Sequence, residues 1–213
     1  MTRTLGVLLA GGQGTRLGLG VPKAMARVGG VTLLERGART LEAVCDQVVV
    51  TAPEAVRPSL AASPPRPGAR PRAFACDPPG AAGPLAGIVA GLASRPHDRA
   101  LVLGVDFPFV SPALLEALLG CLADRLAVVP APNGFPQPLV AAYAARAVAL
   151  LAACLEGGER SAARAVGTLP GVVRLDDDAL AGLPGGLASF FNLNTPADLA
   201  EAEARMAAER TAR

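Results

Sequence analysis

The residues best suited to chemistry follow the first apolar run of the chain. Residues 5–9 (L-G-V-L-L) are short and apolar enough for a buried parallel strand, and residues 9–18 read L-A-G-G-Q-G-T-R-L-G. The glycines let the backbone approach a bound anion, because no side chain blocks it. Arg16 and Lys23 add two cations, and Lys23 is the only lysine of the chain. The pattern is neither a Walker A loop nor a G-x-G-x-x-G fingerprint, and it predicts a nucleoside triphosphate site.

Two aspartates follow later apolar runs. Asp106 ends the run 101–105, and Asp77 follows the run 73–76. A carboxylate at the end of a buried strand is costly without a cation, and Mg²⁺ favours one or two carboxylates together with phosphate oxygens. Asp106 is therefore a candidate magnesium ligand. A plain turn or helix cap is the alternative for each aspartate, although Ser111 is the better cap beside Asp106.

Three later motifs could bind a second group. In G-P-L-A-G at residues 83–87, Gly83 and Gly87 frame a helix start, where free backbone N–H groups favour an anion or a carbonyl. Arg160, in G-E-R-S at 158–161, is a candidate phosphate clamp. The motif N-L-N-T-P at 192–196 precedes the last predicted helix, so a helix cap is its simpler interpretation.

Strand and helix patterns alternate along the chain. Strands are predicted at residues 5–9, 46–51, 73–76, 100–105, 126–130 and 139–143, and helices at 32–44, 83–94, 111–123, 144–155, 161–169 and from 195. Residues 53–71 hold many prolines and predict an exposed irregular connection. Alternation implies a mainly parallel sheet covered on both faces, in one domain spanning 1–213. The glycine loop, Thr51, Asp77 and Asp106 should then line one sheet edge.

The composition excludes several other classes. A net charge of +2 and six Phe with one Tyr disfavour nucleic-acid binding, and no apolar stretch approaches the ~20 residues of a membrane span. No charged and apolar leader precedes the first strand, so we expect a soluble, cytoplasmic protein. The four cysteines have no metal-ligand spacing, which indicates free thiols, with Cys76 in a buried strand. His97 lies in a turn-like segment and is expected at the surface, away from catalysis.

Taken together, these motifs resemble the molybdenum cofactor guanylyltransferase family over nearly the full chain. The resemblance rests on L-A-G-G at 9–12 with Arg16 and Lys23, Asp77, G-P-L-A-G at 83–87, D-F-P at 106–108, Q-P-L at 137–139, G-E-R-S at 158–161 and N-L-N-T-P at 192–196. It implies a Rossmann-like, three-layer α/β fold of the nucleotide-diphospho-sugar transferase type. It also implies transfer of GMP from GTP to molybdopterin, with Mg²⁺ as cofactor and pyrophosphate as the second product.

The resemblance also assigns roles to individual positions. Nucleotide contacts are implied for Leu9, Ala10, Gly11, Gly12, Lys23, Thr51, Asp77 and Asp106; catalysis for Arg16, Lys23 and Asp106; metal binding for Asp106; and molybdopterin contacts for Gly83, Gly87, Arg160, Asn192 and Asn194. Thr51 stands where family members can carry asparagine. Substitution of Arg160 or Asn194 is accordingly expected to spare GTP binding. Contacts with other proteins of molybdenum cofactor biosynthesis, or with acceptor proteins, are further expectations.

Two rival functions stay open at this point. A cytidylyltransferase acting on the same cofactor, or another small-molecule nucleotidyltransferase, would use the same loop. Gly12 favours guanine by resemblance, because cytidine-using relatives tend to carry L-A-A-G, with alanine one position earlier. A nucleotide-binding regulatory module without turnover is the other rival, and the presence of both Lys23 and Asp106 argues against it.

Overall fold

A seven-stranded sheet forms the centre of the structure, a computed structural model that describes residues 2–12, 14, 17–18, 20–63, 67, 73–78 and 80–211. The strands of this sheet and of a small hairpin are β1 (Thr4–Leu9), β2 (Arg27–Val28), β3 (Val31–Thr32), β4 (Gln47–Thr51), β5 (Ala73–Ala75), β6 (Arg99–Gly104), β7 (Ala127–Pro130), β8 (Val140–Ala144) and β9 (Val173–Leu175).

The order of the large sheet is β5-β4-β1-β6-β8-β7-β9, and only β8 runs against the other strands. Leu9 at the end of β1 pairs with Thr51 of β4 on one side and with Gly104 of β6 on the other. The carboxyl ends of the three central strands are therefore level, which confirms the mainly parallel sheet and creates one edge for a site.

Helices cover both faces of the sheet. They are α1 (Leu33–Glu42), α2 (Arg57–Ala61), α3 (Pro84–Ala93), α4 (Pro112–Leu122), α5 (Ala147–Glu156), α6 (Ala162–Gly167), α7 (Asp177–Ala181) and α8 (Pro196–Thr211). Residues of α1, α4 and α8 share one buried core with the sheet, and residues of α3, α5 and α6 share the other. Successive side chains of β1 enter opposite cores, as the pleat requires, with Leu8 in the first core and Leu9 in the second. The three-layer α/β fold is confirmed.

Side-chain caps begin several helices where the sequence places them. The Thr32 hydroxyl accepts from the Glu35 N–H at 3.1 Å, and the Ser111 hydroxyl accepts from the Leu114 N–H at 3.2 Å. Each bond satisfies an N–H that the first turn leaves without a helical acceptor. The predicted starts of α1 and α4 are confirmed.

The last helix reaches back to the segment that follows Lys23. Both carboxylate oxygens of Glu203 in α8 accept from the backbone N–H of Gly29, at 3.0 and 3.1 Å. Gly29 lies in the tight turn between β2 and β3 with a φ of 61°. The C-terminal helix thus fastens the short hairpin to the main body.

The structure also corrects several sequence-based expectations. Part of the segment 53–71 is helix α2, whose Leu60 is fully buried, while residues 64–66 and 68–71 lie outside the described part. Cys76 directly follows β5 and is exposed rather than buried, with its thiol 2.8 Å from Glu54 Oε2. The hairpin, β9 and α7 were not predicted, because elements of two to five residues carry too little periodicity. None of the described helices is long and apolar enough to cross a membrane.

Candidate active site

A cavity of about 280 Å³ opens at the carboxyl edge of the central strands. Its lining includes most of the residues that the sequence selected: Leu9, Gly11, Gly12, Lys23, Thr51, Asp77, Gly83, Gly87 and Asp106. Ala10 is buried behind this wall, and its N–H donates to the Thr51 carbonyl at 2.8 Å. Arg16 lies outside the described residues. The residues that we selected for their chemistry therefore lie together at the sheet edge where the strand order predicted a site. We call this space the nucleotide cavity.

The glycine loop folds back so that Lys23 lies against its beginning. The Lys23 N–H donates to the Gly12 carbonyl at 3.0 Å. Gly14 adopts a left-handed φ of 69°, and a Cβ there would collide with the Val21 carbonyl oxygen, so only glycine fits. A Cβ on Gly12 would lie 3.3 Å from Lys23 Cδ, tighter than ordinary contact. These glycines allow the loop to close and set the position of the lysine stem.

The ammonium group of Lys23 is held between two side chains from distant parts of the chain. Lys23 Nζ donates to Asn194 Oδ1 at 2.7 Å and lies 3.6 Å from Asp106 Oδ2. The Lys23 and Asp106 side chains are only 11% and 19% exposed. A cation held in such a partly desolvated cavity interacts strongly with an anion placed beside it.

Asp106 is positioned by tight packing at the end of β6. Burial raises the pKa of its carboxyl, and the positive charge of Lys23 acts in the opposite direction. A Cβ on Gly104 would collide with Asp106 Oδ1, so glycine leaves room for the carboxylate. The Asp106 carbonyl accepts from the Leu193 N–H at 2.9 Å. This bond ties the segment before α8 directly to the aspartate.

The segment 192–198 forms a small hydrogen-bonded unit around Asn194. Asp198 Oδ2 accepts from the N–H groups of Asn194 and Thr195, at 2.8 and 2.7 Å, and the Thr195 hydroxyl accepts in return from the Asp198 N–H. Asn194 Nδ2 donates to Asn192 Oδ1 at 2.9 Å. The backbone N–H of Asn194, followed by that of Thr195, lowers the pKa of Asp198. Thr195 and Asp198 therefore cap α8, which leaves the Asn194 side chain for Lys23.

This unit adds a contact to one sequence-based assignment, which itself stays a prediction. The resemblance places Asn194 with the pterin contacts, whereas its side chain bonds the lysine of the nucleotide cavity. Asp198 helps to cap α8 and also fixes the backbone of Asn194. The T-x-x-D pattern signals the cap, but nothing in the sequence indicates that the capped loop supports Lys23.

The opposite wall of the nucleotide cavity is formed by β4, the segment after β5, and α3. Thr51 Oγ1 is buried and has no hydrogen-bond partner among the described residues. A Cβ on Gly87 would lie 3.4 Å from this hydroxyl, so the glycine brings α3 close to it. Burial raises the pKa of Asp77, which lies at the rim. The first turn of α3, which begins after Gly83, also faces this space and favours a negative or carbonyl oxygen.

Arg160 takes a different position from the one its motif suggested. Its guanidinium donates to the carbonyls of Leu155 and Glu159, at 2.9 and 3.0 Å, and the residue is exposed. Only its backbone approaches the site, since a Cβ on Gly83 would lie 3.9 Å from the Arg160 carbonyl oxygen. Its assignment as a phosphate clamp stays a prediction.

His97 lies at the other end of the sheet, beside Thr4 and Gln47 at the strand starts. No histidine is therefore placed to act in the nucleotide cavity, since the chain has one in total. Within the described ranges, no group of three His, Cys, Asp or Glu side chains could hold a metal ion. A metal at Asp106 could complete its coordination with oxygens of a bound phosphate and of water.

Residues 6–171 match the family model described as the MobA-like NTP transferase domain. The chain belongs to this family. The match extends from the first strand into the loop before β9, so it includes the glycine loop, Lys23 and Asp106. The resemblance deduced from the motifs is confirmed.

Full-length relatives carry the same family identity. The chain is 36% identical to a "probable molybdenum cofactor guanylyltransferase" of Natronomonas pharaonis over 97% of its own length and 100% of the relative's. It is 31% identical to the "molybdenum cofactor guanylyltransferase" of Desulfosudis oleivorans over 99% of both chains. These alignments reach into α8, beyond the region that the family model matches.

Solved structures agree with the family assignment. The molybdopterin-guanine dinucleotide biosynthesis protein A of Archaeoglobus fulgidus superposes with a TM-score of 0.78 at 30% identity, covering 95% of this chain and 98% of that one. A 2-C-methyl-D-erythritol 4-phosphate cytidylyltransferase of Thermus thermophilus superposes with a TM-score of 0.66 at 24% identity, over 96% and 98% of the chains. The second likeness establishes the fold alone.

Proposed function

We propose that this protein transfers GMP from GTP to molybdopterin, forming the guanine dinucleotide form of the molybdenum cofactor and pyrophosphate. The observation that carries the proposal is that Lys23 and Asp106 meet in the nucleotide cavity, where Asn194 holds the lysine from behind the lining. The full-length relatives named as guanylyltransferases support the choice of substrates.

The reaction is a displacement at phosphorus. An oxygen of the molybdopterin phosphate forms a bond to the α-phosphorus of GTP, while the bond from that phosphorus to the bridging β-phosphate oxygen breaks. Pyrophosphate leaves with the bonding electrons. A phosphate monoester has its second pKa near ~6, so the attacking group is largely ionised at neutral pH. No general base is required, which suits a cavity without histidine.

The main barrier is the approach of two anions. Lys23 supplies a positive charge that is already fixed by Asn194, so little reorganisation is needed when phosphate charge develops. The N-terminus of α3 and the N–H groups of the glycine loop add partial positive charge. Arg16 is proposed to contribute a second cation from the same loop.

Mg²⁺ fits this site as an ion shared with the nucleotide. Asp106 is the carboxylate proposed to hold it, because a hard cation prefers carboxylate oxygens together with phosphate oxygens, and Asp106 lines the cavity where the phosphates are proposed to lie. When bound, the ion would neutralise phosphate charge. Gly104 leaves room for the Asp106 carboxylate, and Lys23 beside it is the protein's own cation.

The proposal is tested by synthesis of the dinucleotide from purified molybdopterin, GTP and Mg²⁺. Asp106→Ala is expected to lower the transfer rate by about 10²-fold or more, on the scale of removing a key electrostatic group. Asp124→Ala, at an exposed turn, is the matched control and should retain normal transfer. Near-normal transfer by Asp106→Ala would move the metal role to another residue.

Guanine selectivity is tested separately by thermal shift with GTP, CTP, ATP and UTP, each with Mg²⁺. A ligand at 100 times its Kd adds about 2.7 kcal/mol of stability, so GTP should raise the Tm more than CTP at equal concentration. An equal or larger shift with CTP would refute the choice of GTP without affecting the fold.

A further inference from the structure

A second cavity, of about 360 Å³, lies beside the nucleotide cavity and has no role in the function described so far. Its walls include Asn133, Phe135, Gln137, Leu187, Phe191 and Arg205. We call it the aromatic cavity. Phe135 and Leu187 are 71% and 42% exposed, so two large apolar side chains meet solvent around one cavity. An exposed aromatic side chain at the rim of a concave surface favours a ligand.

Two chain segments border both cavities. Gln137 lines the aromatic cavity and Leu139 lines the nucleotide cavity, and two residues span at most about 7 Å. Phe191 lines the aromatic cavity, and three residues later Asn194 bonds Lys23. The two cavities therefore lie close together along both segments.

The groups in the aromatic cavity suit a flat heteroaromatic ring. The Arg205 guanidinium lies 4.4 Å from the Phe191 ring centroid and 5.6 Å from that of Phe109, and the two rings are 5.6 Å apart at 66°. Planar guanidinium and phenyl groups stack on such rings. The side-chain amides of Asn133 and Gln137 carry donors and acceptors that match a ring edge bearing amino, imino and carbonyl groups.

The charge of the aromatic cavity argues against a phosphate as its main occupant. Arg205 forms an ion pair with Glu201 on the same helix, which compensates the only cation of the described lining.

The volume of the nucleotide cavity also indicates that part of the second substrate lies outside it. The nucleotide cavity, at about 280 Å³, is just below the range of ~300–1,000 Å³ that is typical of ligand pockets, so a second large substrate needs adjoining space.

We infer that the aromatic cavity binds the pterin ring of molybdopterin while the phosphate of that substrate lies near Lys23 and Asp106. The inference rests on the proposed function and assigns the ring to residues outside the motifs that first suggested pterin contacts. Phe191 and Arg205 form the inner wall against the ring, and Phe135 covers it from the solvent side.

The experiment uses two variants with two exposed controls. Phe135→Ala and Arg205→Gln alter the cavity, while Leu150→Ala and Arg210→Gln alter exposed positions elsewhere on the surface. Binding of 6-hydroxymethylpterin is followed by its fluorescence, the KM for molybdopterin by dinucleotide synthesis, and the Kd for GTP by calorimetry. Losing one stacking partner should weaken pterin binding and raise the molybdopterin KM about tenfold. GTP binding and both controls should stay within twofold of the parent protein.

The outcomes separate the inference from the function on which it rests. If the parent protein binds GTP but makes no dinucleotide from molybdopterin, the proposed function fails. If the parent is active and both cavity variants keep normal pterin binding and molybdopterin KM, the ring lies elsewhere. If these variants are normal with free molybdopterin but impaired only when a protein supplies or receives the cofactor, the cavity is a protein-docking surface and the inference is overturned. Parallel loss of GTP binding in either variant would also overturn it.

Discussion

Replacing Asn194 with alanine is expected to weaken GTP binding without unfolding the protein. The Asn194 side chain accepts from Lys23 Nζ at 2.7 Å, while Thr195 and Asp198 provide the cap of α8. An ammonium has three N–H donors, so Lys23 can keep Asn194 while it also binds a phosphate oxygen. Loss of the amide removes a support of the lysine but leaves the helix start intact.

The size of the effect follows from the freedom that Lys23 regains. Ordering a lysine side chain costs up to about 1.5–2 kcal/mol, and a hydrogen bond to a charged group contributes about 1.5–3 kcal/mol. Lys23 keeps its ion pair with Asp106 at 3.6 Å, so the full sum is not lost. We expect a loss of about 1–2 kcal/mol, which raises the Kd for GTP by roughly 5-fold to 30-fold.

Calorimetry with GTP and Mg²⁺ measures this Kd, and the single lysine offers a second readout. Mass spectrometry can follow acylation of the Lys23 amine, which should be faster in Asn194→Ala and slowed by GTP. Thr32→Ala is the control, since it removes the cap of α1 and should lower stability by about 1 kcal/mol while leaving the Kd unchanged. A Kd within twofold of the parent, at unchanged Tm, would refute the positioning role of Asn194.

Three further predictions concern packing and pH. Gly104→Ala should displace the Asp106 carboxylate and lower Mg²⁺-dependent transfer at least tenfold in an activity assay. The Tm of this variant, measured without GTP, should change little. Gly91→Ala places a Cβ into β1 and should destabilise the fold by about 1–3 kcal/mol in urea unfolding, whereas Gly120→Ala, in open space on α4, should not destabilise it. Asp198→Ala should lower the Tm at pH 7. Because the folded pKa of Asp198 is below its ordinary 3.8, its stabilisation is present above that pH and lost below it, so the Tm difference should shrink in acid; a constant difference would contradict this.

A site residue can be predicted from the sequence when one local pattern indicates both its chemical role and its position in the sheet. Apolar runs that end in glycine or aspartate mark both a buried strand and its functional end, so the residue pattern is enough to place Asp77 and Asp106 at one sheet edge. The caps at Thr32 and Ser111 form within one helical turn, so the starts of α1 and α4 could also be predicted from local sequence.

Contacts between distant segments could not be predicted in this way. The role of Asn194 depends on a partner 171 residues away, and no local pattern encodes that distance. The exposure of Cys76, whose thiol lies beside Glu54, depends likewise on two separate segments, and the five-residue helix α2 is too short for a periodic signal. One domain spanning 1–213, cytoplasmic location, and contacts with other proteins of cofactor biosynthesis stay predictions.

The contacts that α8 and the turn before it make with the N-terminal part of the chain affect how the protein folds during synthesis. The glycine loop is made first, but the acceptor of Lys23 and the carboxylate on Gly29 arrive only with the final helix and the turn before it. Contacts of such long sequence separation form late and slowly in folding. A nascent or truncated chain without this segment would present the loop and the two aspartates with a lysine that lacks its Asn194 acceptor. Tight nucleotide binding therefore reports that the whole chain has folded, which makes GTP protection a sensitive measure of completed folding.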